Sequence, residues 1–159
     1  MSAKILSRKT LSQLLRSRRG KTVVFTNGCY DLLHAGHVTL LEKAKRHGDI
    51  LVVGLNSDDS VRKLKGRSRP LVGEKDRAKL LAALESVDYV TIFPEDTPAR
   101  LIQELKPDVL VKGGDYALDQ IVGRNDVKKV VRVPLVKGFS TTNLIRKIVS
   151  AYGPQARSS

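Results

Sequence analysis

The sequence predicts one α/β domain: a five-stranded parallel sheet, doubly wound, with helices on both faces. Three observations lead there. Short uninterrupted apolar runs rich in Val, Ile and Leu recur along the chain, as strands buried on both faces do. Between them lie segments whose apolar residues recur at helical spacing, and such β-α alternation builds right-handed crossovers onto a parallel sheet. The strand ends carry Gly, Asn, Ser, His and Asp, the residue types that turns and helix caps need at the carboxyl edge of such a sheet.

Size and composition agree. A chain of 159 residues, 41% hydrophobic and 28% charged, suits a single soluble domain with a proper core. No apolar run approaches the ~20 residues of a membrane span, and no apolar signal core opens the chain. The single Cys29 excludes an internal disulfide and agrees with a reducing compartment. The expectation is a cytoplasmic protein without a membrane partner. Its net charge of +13 comes in patches: Lys4 to Lys21 without one acid, Arg62 to Arg69, and Arg124 to Arg132. Such a field attracts polyanions. An aromatic content of 4% with no Trp argues against a stacking platform for nucleic acid, whereas nucleotides and sugar phosphates need the same charge sign.

Taken in order, residues 1–20 read as a basic extension in which Thr10 or Ser12 caps a short helix bearing Leu11, Leu14 and Leu15. The stretch covers the domain edge or mediates dimer contact. The domain proper, residues 21–150, begins with the strand Lys21–Phe25. It empties into Thr26-Asn27-Gly28-Cys29-Tyr30-Asp31-Leu32-Leu33-His34-Ala35-Gly36-His37, and a helix with Val38, Leu40, Leu41 and Ala44 at its spacing follows. At this crossing the helix presents unpaired N–H groups and the positive end of its dipole, where an anion belongs. Gly28 and Gly36 admit a ligand close to the backbone, and His34 and His37 can aim both imidazoles at one phosphate.

Ile50–Leu55 is the second strand and delivers Asn56, Ser57 and Asp58 to the same edge, the latter two as cap residues. Arg62 to Pro70 reads as a cationic loop over the site, and Glu74–Leu84 as the next helix. Val87–Phe93, Pro98–Leu105 and Asp108–Val111 continue as strand, helix and strand. The last ends in Lys112-Gly113-Gly114-Asp115-Tyr116, where glycines let backbone meet a base or ribose and Asp115 can accept from hydroxyls. Leu118–Lys129 is a short helix or irregular crossing, and Val130–Val133 the final strand. Gly138-Phe139-Ser140-Thr141-Thr142 brings a second capped helix start to the ligand edge, followed by a helix over Asn143–Ser150 with Leu144, Ile145 and Ile148 inward. Residues 151–159 form a polar tail.

The run from Gly28 to His37, with its His-Ala-Gly-His ending, resembles the signature of the cytidylyltransferase-like nucleotidyltransferase superfamily. The longer string from Thr26, with Val53 to Asp58, Lys112 to Tyr116 and Gly138 to Thr142, is similar to the heptose 1-phosphate adenylyltransferase branch. The resemblance spans Thr22 to Ile148. It implies a single Rossmann-like doubly wound domain that transfers AMP from ATP to D-glycero-β-D-manno-heptose 1-phosphate, with pyrophosphate leaving. His34, His37 and Lys65 are then the catalytic candidates. Asn27, Gly28, Cys29, Tyr30, Gly36, Gly113, Gly114, Asp115, Ser140, Thr141 and Thr142 are candidates for holding the nucleotide. Asp31, Asn56, Lys65 and Arg77 are candidates for holding the acceptor; Lys65 enters because relatives use lysines of this loop on the acceptor phosphate. Mg2+ would arrive with the ATP, and no residue is assigned as a metal ligand. A kinase is commonly fused to this activity in the family, so a separate heptose kinase upstream is expected, as is a homodimer.

Other readings compete. Leu135 and Val136 stand where related cytidylyltransferases carry Arg-Thr, which tends to favour the heptose branch over a cytidylyltransferase acting on glycerol 3-phosphate. His34 and His37 could be zinc ligands, but His47 is the only other histidine. Cys29 with His34 could be nucleophile and base, though no third, orienting group accompanies them. A basic nucleic-acid-binding module is the alternative of another class.

Overall fold

The computed structural model describes residues 2–154. Five parallel strands, β1 (Val23–Gly28), β2 (Ile50–Asn56), β3 (Tyr89–Phe93), β4 (Val109–Gly113) and β5 (Lys129–Val133), form one sheet in the order β3-β2-β1-β4-β5. The helices are α1 (Arg8–Ser17), α2 (Ala35–Lys45), α3 (Asp58–Lys65), α4 (Glu74–Ala82), α5 (Ala99–Leu105) and α6 (Thr141–Tyr152). The expected five-stranded, doubly wound Rossmann-like architecture is present.

Strand periodicity sorts the core into two layers. Val24, Leu51, Val53, Val109 and Val111 meet Leu41 and Ala44 of α2 and Ala78, Leu81 and Ala82 of α4. Their neighbours Phe25, Val52 and Leu110 point the other way, onto Leu11 and Leu15 of α1 and Leu101, Ile102 and Leu105 of α5. Successive side chains of a strand face opposite sides, so a strand covered on both sides must be apolar throughout. β2 is buried at all seven positions.

The order of strands positions the site. From β1 the chain winds to β2 and β3 on one side and later returns to β4 and β5 on the other. β1 and β4 pair only at Val24 with Val109 and Phe25 with Leu110. Beyond that point a crevice opens at the carboxyl ends, where ligands of such sheets lie.

Several local expectations need correction. Helix α1 is capped by Ser7, whose hydroxyl accepts from the N–H of Thr10, rather than by Thr10 or Ser12. Residues 4–17 are built into the domain: Leu11 and Leu15 are core residues, and the Val90 N–H donates to the Lys4 carbonyl while the Leu6 N–H donates to Val90. The cationic stretch from Arg62 is not loop from its start, because α3 runs to Lys65 before Gly66 ends it at φ 99°. Ser57 caps that helix, and Asp58 and Asp59 in its first turn with Arg62, Lys63 and Lys65 in its last complement its dipole. Helix α6 does not bury an inward face: Leu144 and Ile145 are half-buried, and Ile148 is 48% and Tyr152 78% exposed. Of the segment 151–159 assigned to a polar tail, Ala151 and Tyr152 belong to α6, and 155–159 lie outside the described residues.

Candidate active site

The crevice is a cleft of about 690 Å³. Its floor is the loop between β1 and α2, which must turn within a few residues from strand to helix entrance. Tyr30 and Leu32 accordingly adopt left-handed backbone, at φ 46° and 53°, which side chains other than glycine rarely take. Two buried anchors hold this turn. Arg77 of α4 donates from Nη1 to the carbonyls of Cys29 (2.6 Å) and Asn56 (3.0 Å), from Nε to that of Val72 (2.8 Å), and from Nη2 to the Asp58 carboxylate (2.7 Å). The carboxylate of Asp31 accepts from the N–H groups of Leu71 (2.9 Å) and Val72 (3.0 Å) and from Nε of Arg69 (2.7 Å). Burial by itself would raise the Asp31 pKa, but these N–H donors and the guanidinium outweigh it and hold the carboxyl below its ordinary value.

At the helix entrance the imidazoles of His34 and His37 stack with centroids 3.8 Å apart at 17°. The backbone N–H of His34 donates to Nδ1 of His37 (3.3 Å), which assigns the proton of neutral His37 to Nε2. Burial, reinforced by the neighbouring His34, lowers the His37 pKa to about 4, and burial lowers that of His34 as well. Both rings are therefore neutral at physiological pH and each offers one N–H. Nδ1 of His34 is buried without a partner among the described residues. Gly36 makes the stack possible, since a Cβ there would lie 2.8 Å from Cβ of Phe139 and 3.0 Å from the His34 ring.

The far wall comes from the start of α6. Ser140 caps the helix by accepting from the N–H of Asn143 (3.0 Å), and the Thr141 hydroxyl donates to the Asp31 carbonyl (2.7 Å). Of the residues expected at the site, Asn27, Gly28, Cys29, Tyr30, Asp31, His34, Gly36, His37, Asn56, Lys65, Ser140, Thr141 and Thr142 line one cleft. Gly113, Gly114 and Asp115 do not; their turn instead contributes Lys112 and Tyr116, whose ammonium lies 5.1 Å from the ring centre. Arg77 is 1% exposed and its donors are taken by carbonyls and Asp58, so it braces the site rather than facing an acceptor. Asp31 lines the cleft, but its carboxylate is spent on the 69–72 segment rather than offered to a substrate. Asn56 is buried, its amide donating to the Ser60 hydroxyl (2.9 Å). Cys29 is half-buried, and burial, partly opposed by Lys65, Arg77 and Arg69, raises its thiol above the ordinary value. That disfavours the thiolate a nucleophile needs.

Sequence reasoning placed the loop of Arg69 over the site without singling out that residue, and it missed Thr97, Pro98, Gln120 and Phe139 as lining residues. Phe139 stood inside a recognised motif, but the others carry no local pattern that announces a cleft. Among the described residues no three His, Cys, Asp or Glu side chains converge as metal ligands.

A cytidylyltransferase-like family model matches residues 25–152, which run from within β1 to the end of α6 and contain the whole cleft. The chain belongs to the cytidylyltransferase-like family. Among curated relatives, bifunctional protein HldE of Syntrophotalea carbinolica is 56% identical over 156 residues, covering 94% of this chain and 32% of that protein. Bifunctional protein HldE of Geobacter sulfurreducens is 54% identical over 159 residues, covering 96% and 32%. The chain thus spans about a third of the length of these relatives. Among solved structures, a lipopolysaccharide core biosynthesis protein from Thermoplasma volcanium superimposes with a TM-score of 0.65 at 27% identity, over 74% of this chain and 100% of that one. Pantoate-beta-alanine ligase from Francisella tularensis shares the fold, with a TM-score of 0.62 at 17% identity over 94% of this chain and 78% of that one. The matched range includes the histidine pair, which sits where the strand order opens the sheet.

Proposed function

We propose that the chain transfers AMP from ATP to D-glycero-β-D-manno-heptose 1-phosphate, yielding ADP-heptose and pyrophosphate for lipopolysaccharide synthesis. The observation that carries the transferase reading is the neutral His34–His37 pair at the N-terminus of α2, facing a cleft that also receives the N-terminus of α6. The choice of ATP and heptose 1-phosphate is supported by the relatives named HldE and by the motif resemblance.

A phosphate oxygen of the sugar 1-phosphate attacks the α-phosphorus of ATP in line, and the bond to the bridging oxygen of pyrophosphate breaks. No covalent enzyme intermediate is required. What the protein must supply is positioning and cancellation of charge between two anions. The N–H groups of His34 and His37 serve as fixed donors to oxygens on which charge grows. Ser140, Thr141 and Thr142 hold the triphosphate from the opposite side, and Lys65 reaches over as a mobile cation. Exposed helix ends contribute only ~0.3 to 1 kcal/mol each, so these side chains carry the larger share. Among the described residues no carboxylate cage is present, and Mg2+ enters the reading as an ion carried on the nucleotide phosphates.

The sugar 1-phosphate is supplied by a kinase activity outside these residues. A cytoplasmic homodimer completes the proposal. The homodimer is supported by the exposed apolar residues of α6.

The test is pyrophosphate release with Mg2+, pairing ATP or CTP with heptose 1-phosphate or glycerol 3-phosphate. Release confined to ATP with the heptose is expected. Release with CTP and glycerol phosphate would transfer the chain to another branch, and none with any pair would reject the transferase reading.

A further inference from the structure

We infer that Arg69 is an anion-gripping residue of the cleft, aimed by Asp31, and that it takes the phosphate monoester of the acceptor rather than the triphosphate of the nucleotide. The naming of the acceptor rests on the adenylyl-transfer reading; the anion site does not.

Arg69 stands on the segment between α3 and α4, four residues past Lys65, and its side chain is 17% exposed where it lines the cleft. Its Nε is committed to the Asp31 carboxylate at 2.7 Å. Nη1 and Nη2 have no protein partner among the described residues. Asp31 is itself 1% exposed and cannot swing away, because it also holds the N–H groups of Leu71 and Val72. A carboxylate that fixes Nε fixes the plane of the guanidinium, leaving four N–H bonds of the fork for a bidentate oxyanion. Much of the rotamer entropy that a free surface arginine would lose on binding is already spent.

Other arginines are used differently. Arg77 gives its donors to three carbonyls and Asp58, and Arg8 gives its terminal nitrogens to Glu95 and Glu104. Arg69 combines a buried anchor with an unspent fork on the cleft wall.

Its location selects the anion. His34, His37 and Phe139 gather at one end of the cleft, with the capped start of α6. Arg69 reaches the cleft from the other side of Asp31, whose carbonyl accepts from Thr141 at the start of α6 and whose carboxylate accepts from Arg69, and Lys65 ends α3 four residues before it. A triphosphate suits the end with two helix termini, and a dianionic monoester suits the end with two mobile or forked cations.

The experiment uses the full chain with Arg69→Lys, Arg69→Gln and Asp31→Asn. Thermal melts check that each variant folds, with Arg69→Lys retaining the charge should the others unfold. Calorimetric titration with inorganic phosphate reads the site directly, and KM for heptose 1-phosphate and for ATP reads its assignment. Loss of the bidentate fork is expected to weaken phosphate binding and raise the acceptor KM by about 10-fold or more, with the ATP KM changed less than about twofold. Asp31→Asn should shift the acceptor KM in the same direction by a smaller factor. Phosphate affinity equal to wild type in Arg69→Lys and Arg69→Gln would overturn the site, and an ATP KM that rises as much as the acceptor KM would overturn the assignment. If wild-type protein transfers nothing to any sugar phosphate, the transfer reading fails by itself and the calorimetric comparison alone decides Arg69.

Discussion

The hydroxyl of Thr141 donates to the carbonyl oxygen of Asp31 at 2.7 Å, joining residues 110 positions apart. One bond thereby couples the entrance of α6 to the loop that presents His34 and His37. The Asp31 carboxylate secures the 69–72 segment from the other side. Three chain segments that a substrate would bridge are thus registered before any ligand arrives, which is how positioning is obtained without mobile parts. Replacing Thr141 by Val, of similar shape but without the donor, is expected to lower kcat about 10-fold while costing only about 0.5–1.5 kcal/mol of stability. Pyrophosphate release together with urea unfolding separates the two effects.

Substituting either site histidine by Ala should reduce turnover about 10²- to 10³-fold, the scale of losing one transition-state donor. The fold should change little, since both side chains are only half-buried. Turnover near the wild-type value in both variants would remove the histidines from the chemistry.

The low His37 pKa has a consequence for stability. Its folded value of about 4 lies below the ordinary 6.5, so as pH falls the unfolded chain takes up the proton first. Stability is therefore full above about pH 6.5 and declines between 6.5 and 4, by on the order of 2 kcal/mol once partial exposure is allowed for. His37→Gln should flatten that part of a urea-stability profile against pH. An unchanged slope would show that other groups set it.

Arg77→Met should be costly through folding. Removing the guanidinium leaves the carbonyls of Cys29, Asn56 and Val72 and the Asp58 carboxylate without their donor, a loss of about 3–5 kcal/mol. Denaturant titration is expected to show that loss. A variant of normal stability with a raised acceptor KM would restore Arg77 to the substrate.

Gly36→Ala places a methyl group against Phe139 and His34. The stack or the α6 start must yield, and about 1–3 kcal/mol of strain is expected along with a loss of turnover. Melting temperature and pyrophosphate release read both.

Much of this was legible in the chain. A strand buried on both faces, as β2 is, leaves an uninterrupted apolar signature, and short runs rich in Val marked the edge strands as well, so all five were visible from Val23 to Val133 with only their ends displaced. The histidine pair was visible because the turn before it and the helix after it have strong local signals. What was hidden was long-range polar bookkeeping. No spacing tells that the Arg77 guanidinium turns inward to carbonyls while that of Arg69 is pinned by a carboxylate 38 residues earlier. The five cations from Arg62 looked like solvated loop because charge resembles solvation, yet the first three belong to the end of a helix whose dipole they favour. In α6, spacing announced an apolar stripe, but whether a stripe is covered depends on what lies beside it, and Ile148 lies open.

The strap formed by Lys4, Ile5 and Leu6 runs parallel beside Val90, along the margin of β3. At the opposite margin, β5 turns exposed Lys129 and Arg132 outward. One border of the sheet is occupied by its own chain and the other is repelled by charge from its like, the two devices that keep unpaired backbone from templating further strands. Any self-association of this protein must then run through helices and side chains, so that crowding many copies together favours discrete assemblies over growing β-ribbons.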